Sequence, residues 1–372
     1  MGVAETSMAS KRETWAARRK SVTPKTLSLA EQDLVTTSFL PDGGSLPLVV
    51  QPNFDGVNLI GWAANNVEFI ETKLLEYGGI LFRGFTVCDH THFDQFLQAI
   101  NLPRMHYMEG ATPRNELADK VYTSTEYPAD QHIALHNELN YVITWPMKIF
   151  FFCVVPAETG GATPIADVRR VYNRIDPAIR EKFLSKGWML TRNFGDGMSL
   201  PWQTSFRMNE RGELESYCRE SRIDFEWKGG DRLRTRQVRP AVRVHPRTGE
   251  RVWFNHLAFW HVSSLEPRLR DVFVSEFSEE ELPYNTYYGD ESRVPDEVME
   301  EIRRAYAAET VAFSWQKGDL LMLDNMLVAH GRHPFSGPRR ILTAMGEPYS
   351  DQSSWTWSRR GDQLTFQPAE QA

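Results

Sequence analysis

Cysteine is scarce in this chain of 372 residues, which carries only Cys88, Cys153 and Cys218. Three widely spaced thiols cannot build a disulfide framework. The last two sit in strand-like runs where a thiol behaves as a small buried hydrophobe, so a reducing, cytoplasmic setting is expected. No run approaches the roughly 18 apolar residues that span a bilayer, and the opening MGVAETSMASKRETWAARRK lacks the apolar core of a secretory signal, so no membrane role is expected. Positive charge is not in excess either. With 42 Lys and Arg against 49 Asp and Glu, the net charge of −7 excludes whole-surface attraction for nucleic acid or anionic lipid. A glycine-rich strand-to-helix fingerprint and a phosphate-loop pattern are both missing, which leaves nucleotide binding without support.

What the chain does have is core material. Hydrophobic residues make up 41%, with 11 Trp, 12 Tyr and 21 Phe, enough to fill a globular interior. Residues 1–45 are mixed and polar and read as a partly disordered tail, closed by the turn signal Pro41-Asp42-Gly43-Gly44. Residues 46–372 are expected to form one domain. Trp62, Val67, Ile70 and Leu74 recur at helical spacing up to Gly78-Gly79, and a second helix is predicted over 93–100. From 149 onward short β-like runs dominate: 149–155, 188–191, a hairpin of 241–245 and 251–255, then 311–315, 320–323 and 341–344. Two helices interrupt them. One is framed by Asp176-Pro177 and Gly187, an N-cap, a proline at the first turn and a glycine stop; the other covers 296–309. Strands without a helix after each one rule against a doubly wound parallel sheet and point to an all-β core with flanking helices.

Within that pattern, His136 and Glu138 are one residue apart, and on a strand this period puts both side chains on one face, within reach of one metal. A second histidine would complete two-histidine-one-carboxylate ligation, which leaves three positions on an octahedral metal for other ligands. The triplet alone is a weak signal, as it arises by chance in many chains. His330 lies near the far end, and ten residues beyond it Arg340 begins an apolar strand. An antiparallel return would set that strand beside the one bearing His330, where the planar fork of Arg340 suits a dicarboxylate; Arg339 would then face the other way. On spacing alone, a surface arginine ending a loop competes with this reading.

At this point the sequence resembles the taurine dioxygenase-like family of iron(II), 2-oxoglutarate-dependent oxygenases. Three separated matches carry the resemblance: His136-Asn137-Glu138 with Asn140-Tyr141, the run Pro156 to Pro164, and Asp324-Asn325 through His330 to Arg339-Arg340-Ile341. The resemblance implies a double-stranded β-helix (jelly-roll, cupin-like) core, Fe(II) held by His136, Glu138 and His330, 2-oxoglutarate held by Thr163 and Arg340, and O₂ as co-substrate. The run 239–246 and Phe254-Asn255-His256 are similar to the branch containing the syringomycin-pathway aspartate hydroxylase. That likeness implies hydroxylation of an sp³ carbon of a small amino-acid-like substrate, free or carrier-bound, in natural-product biosynthesis. Ala344 falls where the taurine enzyme has a sulfonate-holding arginine, which makes taurine a poor substrate guess. Glu138 fills a position that a related halogenase leaves to chloride, so halogenation is disfavoured, while desaturation and epoxidation stay open.

Three residues are candidates for contacting substrate. Trp202 follows a Gly195-Asp196-Gly197 turn, in the kind of loop that shapes pockets on a β scaffold, although packing is an equal alternative. Arg207 is an arginine able to take a substrate carboxylate. Asn255 is preferred over His256, because strand alternation lets only one of the two point inward. The seven arginines between Arg232 and Arg251 are read as a solvated hairpin face, with docking of an acidic carrier protein as the minority reading. His132, His245 and His261 are read as structural. Two other classes remain: a Zn²⁺ hydrolase on a cupin-like barrel, active without O₂ or 2-oxoglutarate, and a non-catalytic binding protein with no stoichiometric metal.

Overall fold

The structure is a computed structural model, and it describes residues 33–368 apart from short segments at 42–43, 106–108, 110–115, 119–120, 124–126, 196–198, 352–354 and 361–362. Most of the tail expected over 1–45, and most of the turn expected at 195–197, lie outside the described residues. Val35–Phe39 is nonetheless a strand, paired antiparallel with Leu48–Pro52, so ordered structure starts before the boundary expected near residue 46.

Eight strands form the largest sheet, in the order Val35–Phe39, Leu48–Pro52, Gly79–Phe82, Leu320–Asp324, Thr144–Val155, Arg340–Ser350, Val121–Thr123 and Glu116–Ala118. Its centre is the 144–155 strand, whose run of apolar residues is buried on both faces, as an interior strand requires. Alternation divides its side chains between two cores. Phe150 and Phe152 join Leu320, Met322 and Leu342 against the helices Leu59–Asn65, Val67–Tyr77 and His90–Ala99. Ile149, Phe151 and Cys153 face the opposite way, into a core shared with a second sheet. That sheet orders Thr310–Val311, Ile165–Asp167, Val328–Arg332 and Ile133–His136. A third runs Asp224–Gly229, Arg232–Arg239, Trp188–Phe194, Tyr284–Tyr288. The result is an all-β core flanked by helices.

Local signals were accurate at element ends. Asp176 accepts from the Ala178 amide with Pro177 in the first turn, and the helix Pro177–Lys186 stops at Gly187. The helix over 296–309 and the hairpin Val242–Val244 with Arg251–Trp253 form as expected. The stretch 62–77 is two helices rather than one, broken at Asn66. Of the strand expected over 311–315, only Thr310–Val311 pairs, and the rest crosses over to the 320–324 strand.

The arginine stretch is a solvated face only in part, with Arg232, Arg247 and Arg251 exposed. Arg234, Arg239 and Arg243 are buried, and they satisfy carbonyls and acids inside the fold. Arg239 donates to the carbonyls of Tyr141 and Ser221, and Arg243 pairs with Asp351 at 2.9 Å. Cys153 and Cys218 are buried free thiols, each pushed up to about 12 by burial. Among the described residues no helix is long and apolar enough to cross a membrane.

Candidate metal centre

His136 ends the strand Ile133–His136, and His330 lies in its antiparallel neighbour, directly across the register. The rings sit 4.5 Å apart between centroids. Glu138 is not on the strand, contrary to the expectation from spacing. It stands in the turn that follows, where Leu139 takes a positive φ of 54°. The turn still brings its carboxylate to 3.9 Å from His330 Nε2. One donor atom from each of the three residues lies within 4.8 Å of the others, the cluster of this kind found among the described residues.

Neighbouring groups fix these donors. His136 Nδ1 lies 2.9 Å from the Ala134 carbonyl, which can only accept, so the proton is on Nδ1 and Nε2 presents its lone pair. The Glu138 backbone is clamped by Asn325, whose Oδ1 accepts from Glu138 N at 2.7 Å and whose Nδ2 donates to Glu138 O at 2.9 Å. Asn325 Nδ2 also donates to Pro146 O, and Asn137 donates back to Asn325 O. The preceding Asp324 accepts from the Met326 and Leu327 amides and faces buried His245, so the whole turn is held rigidly.

Beside the triad a pocket is lined by His136, Phe151, Thr163, His330, Arg339 and Thr343. Thr163 is buried and accepts from Trp315 Nε1 at 3.0 Å. The arginine that enters is Arg339, not Arg340. Arg340 is exposed at the first position of its strand, and that strand pairs with 144–155 in the large sheet rather than beside the strand bearing His330. From Arg339 the same-face series runs through Ile341 and Thr343, and these line the pocket. Among the described residues the Arg339 guanidinium makes one hydrogen bond, Nε to the Gly161 carbonyl at 3.1 Å, and has no acidic partner. Burial, helped by the nearby Arg332, pulls it down to about 10. Its approach depends on glycine. A Cβ on Gly161 would lie 3.1 Å from Arg339 Cδ, one on Gly160 would lie 2.3 Å from the Pro334 carbonyl, and both residues hold positive φ, 69° and 67°.

The substrate candidates fare differently. Trp202 is buried among Phe194, Phe206 and Leu233 in a separate cluster, so packing is its role. Arg207 is exposed, its guanidinium 6.0 Å from the Tyr122 ring. Asn255 is buried but spent on the backbone, donating to Ala241 O and accepting from Leu257 N. His256 takes the inward position instead, its ring 5.3 Å from that of His136. Ala344 is on the helix-facing side of its strand, away from the pocket, so its identity carries no information about substrate.

The donor set fits a divalent iron site with open positions, and a buried cation without an acid fits a dicarboxylate beside it. The family model for "Taurine catabolism dioxygenase TauD, TfdA family" matches residues 42–345. The chain is 40% identical over 279 residues to Dapdiamide synthesis protein DdaC of Enterobacter agglomerans, covering 75% of this chain and 85% of that one. It is 30% identical over 293 residues to Clavaminate synthase-like protein At3g21360 of Arabidopsis thaliana, covering 75% and 84%. Its fold matches the solved structure of PvcB, an Fe, alpha-ketoglutarate dependent oxygenase from an isonitrile synthetic pathway, with a TM-score of 0.52 at 18% identity over 91% of this chain and 97% of PvcB. The chain belongs to the TauD/TfdA family and is a non-haem iron oxygenase dependent on 2-oxoglutarate and O₂.

Proposed function

We propose that this oxygenase hydroxylates an sp³ carbon of a small amino-acid-like molecule in a biosynthetic pathway, on a double-stranded β-helix formed by a single domain. The observation that carries the site assignment is the meeting of the His136, Glu138 and His330 donors with a buried, acid-free Arg339 and the Thr163 hydroxyl in one pocket. The similarity to a dapdiamide synthesis protein supports the substrate class. Most of the 232–251 arginines are engaged in internal contacts, which favours a free substrate over one carried on an acidic protein. Buried, unpaired thiols agree with a reducing, cytoplasmic setting.

When bound, Fe(II) and 2-oxoglutarate supply O₂ activation coupled to oxidative decarboxylation of the cofactor to succinate and CO₂. The protein's own groups do the rest. His136, Glu138 and His330 would hold the metal, their donor atoms lying within 4.8 Å of one another. Arg339 and Thr163, which line the same pocket, would hold the cofactor's distal carboxylate by a charge-assisted pair and a hydroxyl hydrogen bond. Phe151 packs its ring 4.9 Å from His330 and keeps water from that side. The Asn325 clamp keeps Glu138 from drifting with its turn.

The test is turnover under ¹⁸O₂ with Fe(II), 2-oxoglutarate and a panel of amino acids, following succinate and product mass. A product heavier by one labelled oxygen is expected. A product lighter by two hydrogens would replace hydroxylation with desaturation, and anaerobic hydrolysis without 2-oxoglutarate would refute the reading.

A further inference from the structure

Two side chains of opposite charge type are buried beside the aromatic residues around His136, and among the described residues neither forms an ion pair within 4.0 Å; neither is used by the metal or cofactor. Arg192 is 7% exposed and Glu109 is fully buried. Arg192 shares a strand face with Trp188 and Leu190, pointing to the main core. Its guanidinium lies 4.7 Å from the Phe194 ring and 5.5 Å from the Trp260 ring. Nη2 makes a long contact of 3.4 Å to Ser205 Oγ, and Nη1 has no hydrogen bond among the described residues. Glu109 accepts from Tyr217 through Oε1, and its Oε2 has no hydrogen-bond partner among the described residues. Two arginines act on Glu109 at longer range: Arg239, already committed to four backbone carbonyls, and then Arg192 itself.

Both groups reach the same aromatic wall. The Glu109 backbone carbonyl accepts from the Tyr141 hydroxyl at 2.7 Å, and the Tyr141 ring lies 4.7 Å from Trp260 and 5.3 Å from His256. Trp260, under Arg192, is 4.8 Å from His256, which is 5.3 Å from His136. A buried guanidinium and a buried carboxyl therefore border one aromatic wall whose far end is His136. Burying a charge without a close counter-charge is costly, and burial raises the Glu109 carboxyl above the usual carboxylate range against the opposing pull of Tyr217, Arg239 and Arg192. A ligand bearing both complementary charges removes the penalty at both places.

We propose that the substrate is a free α-amino acid, its carboxylate held by Arg192 and its ammonium by Glu109, with the side chain directed along the Trp260–His256 wall toward the metal. The proposal rests on the oxygenase reading of the His136–Glu138–His330 site. Plain carboxylates would satisfy Arg192 alone, and carrier-linked aminoacyl groups, which lack the free carboxylate, would satisfy Glu109 alone.

The experiment uses the full chain with Fe(II), 2-oxoglutarate and O₂, and measures succinate release with each proteinogenic L-amino acid, its α-carboxamide and its Nα-acetyl form. At least one free amino acid is expected to raise release tenfold over the substrate-free rate, and either masked form should need at least tenfold more ligand. That amino acid should also raise the Tm of the anaerobic Fe(II)–2-oxoglutarate protein, a readout of binding alone. In Arg192→Gln, KM for the amino acid should rise at least tenfold and the preference over the carboxamide should vanish, while KM for 2-oxoglutarate stays put. Glu109→Gln should erase the preference over the Nα-acetyl form. Arg192→Lys serves if the glutamine variant does not fold, and should keep part of the preference. Intact substrate-free release with no response to any amino acid overturns the proposal and leaves the oxygenase reading standing, as does an Arg192→Gln or Arg192→Lys variant with undiminished discrimination. No succinate under any condition would instead bring down the oxygenase reading.

Discussion

Replacing Arg339 by leucine should uncouple cofactor binding from metal binding, and replacing Arg340 should not. Arg339 projects into the pocket with Thr163 and the two histidines, while Arg340 is exposed at the strand's first residue. Losing one partner of a desolvated, charge-assisted pair costs about 2–5 kcal/mol. Because Nε is already committed to Gly161, only the terminal nitrogens serve the ligand. The low end of that range applies, about 2–3 kcal/mol, or roughly a 30- to 150-fold rise in the 2-oxoglutarate Kd at about 1.4 kcal/mol per decade. Arg339→Lys keeps the charge but loses the fork and should fall between. The assay is anaerobic titration of 2-oxoglutarate into Fe(II)-loaded protein, following the weak visible charge-transfer band, with iron stoichiometry measured in parallel. Iron should remain at one per chain in every variant. Wild-type cofactor affinity in Arg339→Leu with a large loss in Arg340→Leu would refute the assignment and require a one-residue shift of the 340–350 strand.

Three further outcomes follow from the same geometry. Asn325→Ala strands the Glu138 N–H and C=O and the Pro146 C=O in the interior; at about 1–3 kcal/mol per buried unpaired group, denaturant melts should show a loss of several kcal/mol and iron titration a weaker site. Gly331→Ala places a Cβ 2.6 Å from the Ile133 carbonyl, so the strands carrying His330 and His136 must part, and iron stoichiometry should drop well below one while far-ultraviolet circular dichroism stays native. Trp202→Ala should cost about 3–5 kcal/mol in urea unfolding as a core cavity, with 2-oxoglutarate affinity of the folded protein unchanged; a selective loss of turnover at wild-type stability would restore Trp202 to the pocket.

The two misread arginines show where sequence stops being legible. Helix caps, glycine stops and the 245–251 hairpin were readable because each is decided within a few residues of chain. His136, Glu138 and His330 are legible as a set because each lies in a short motif, and the fold brings one donor atom of each within 4.8 Å of the others, although Glu138 arrives from a turn and not from a strand face. The choice between Arg339 and Arg340 depends on which face of the 340–350 strand meets the second sheet. Hydrophobic pattern cannot decide that here, because Ile341 through Met345 are apolar or buried on both faces. The pairing partner also matters: the chain leaves the strand bearing His330, crosses to the other sheet and pairs with 144–155, with a register irregularity at Arg340 and Ile341. The same limit explains Asn255 and His256. The strand ends at Trp253, so alternation does not govern these two residues; Asn255 is claimed by the Ala241 carbonyl and the Leu257 amide, and His256 brings its ring to 5.3 Å from that of His136. Arg192 carries no local signal, since it lies on an ordinary strand, and only the packing of Trp260, Tyr141 and Glu109 from three distant segments sets this basic residue against the aromatic wall. In an oxygenase of this kind the metal is held by residues that short motifs specify, and the substrate is held by residues that meet only after the sheets have packed. Cofactor class is therefore legible from one chain, while substrate recognition becomes legible at the first buried charge that the fold itself leaves unanswered.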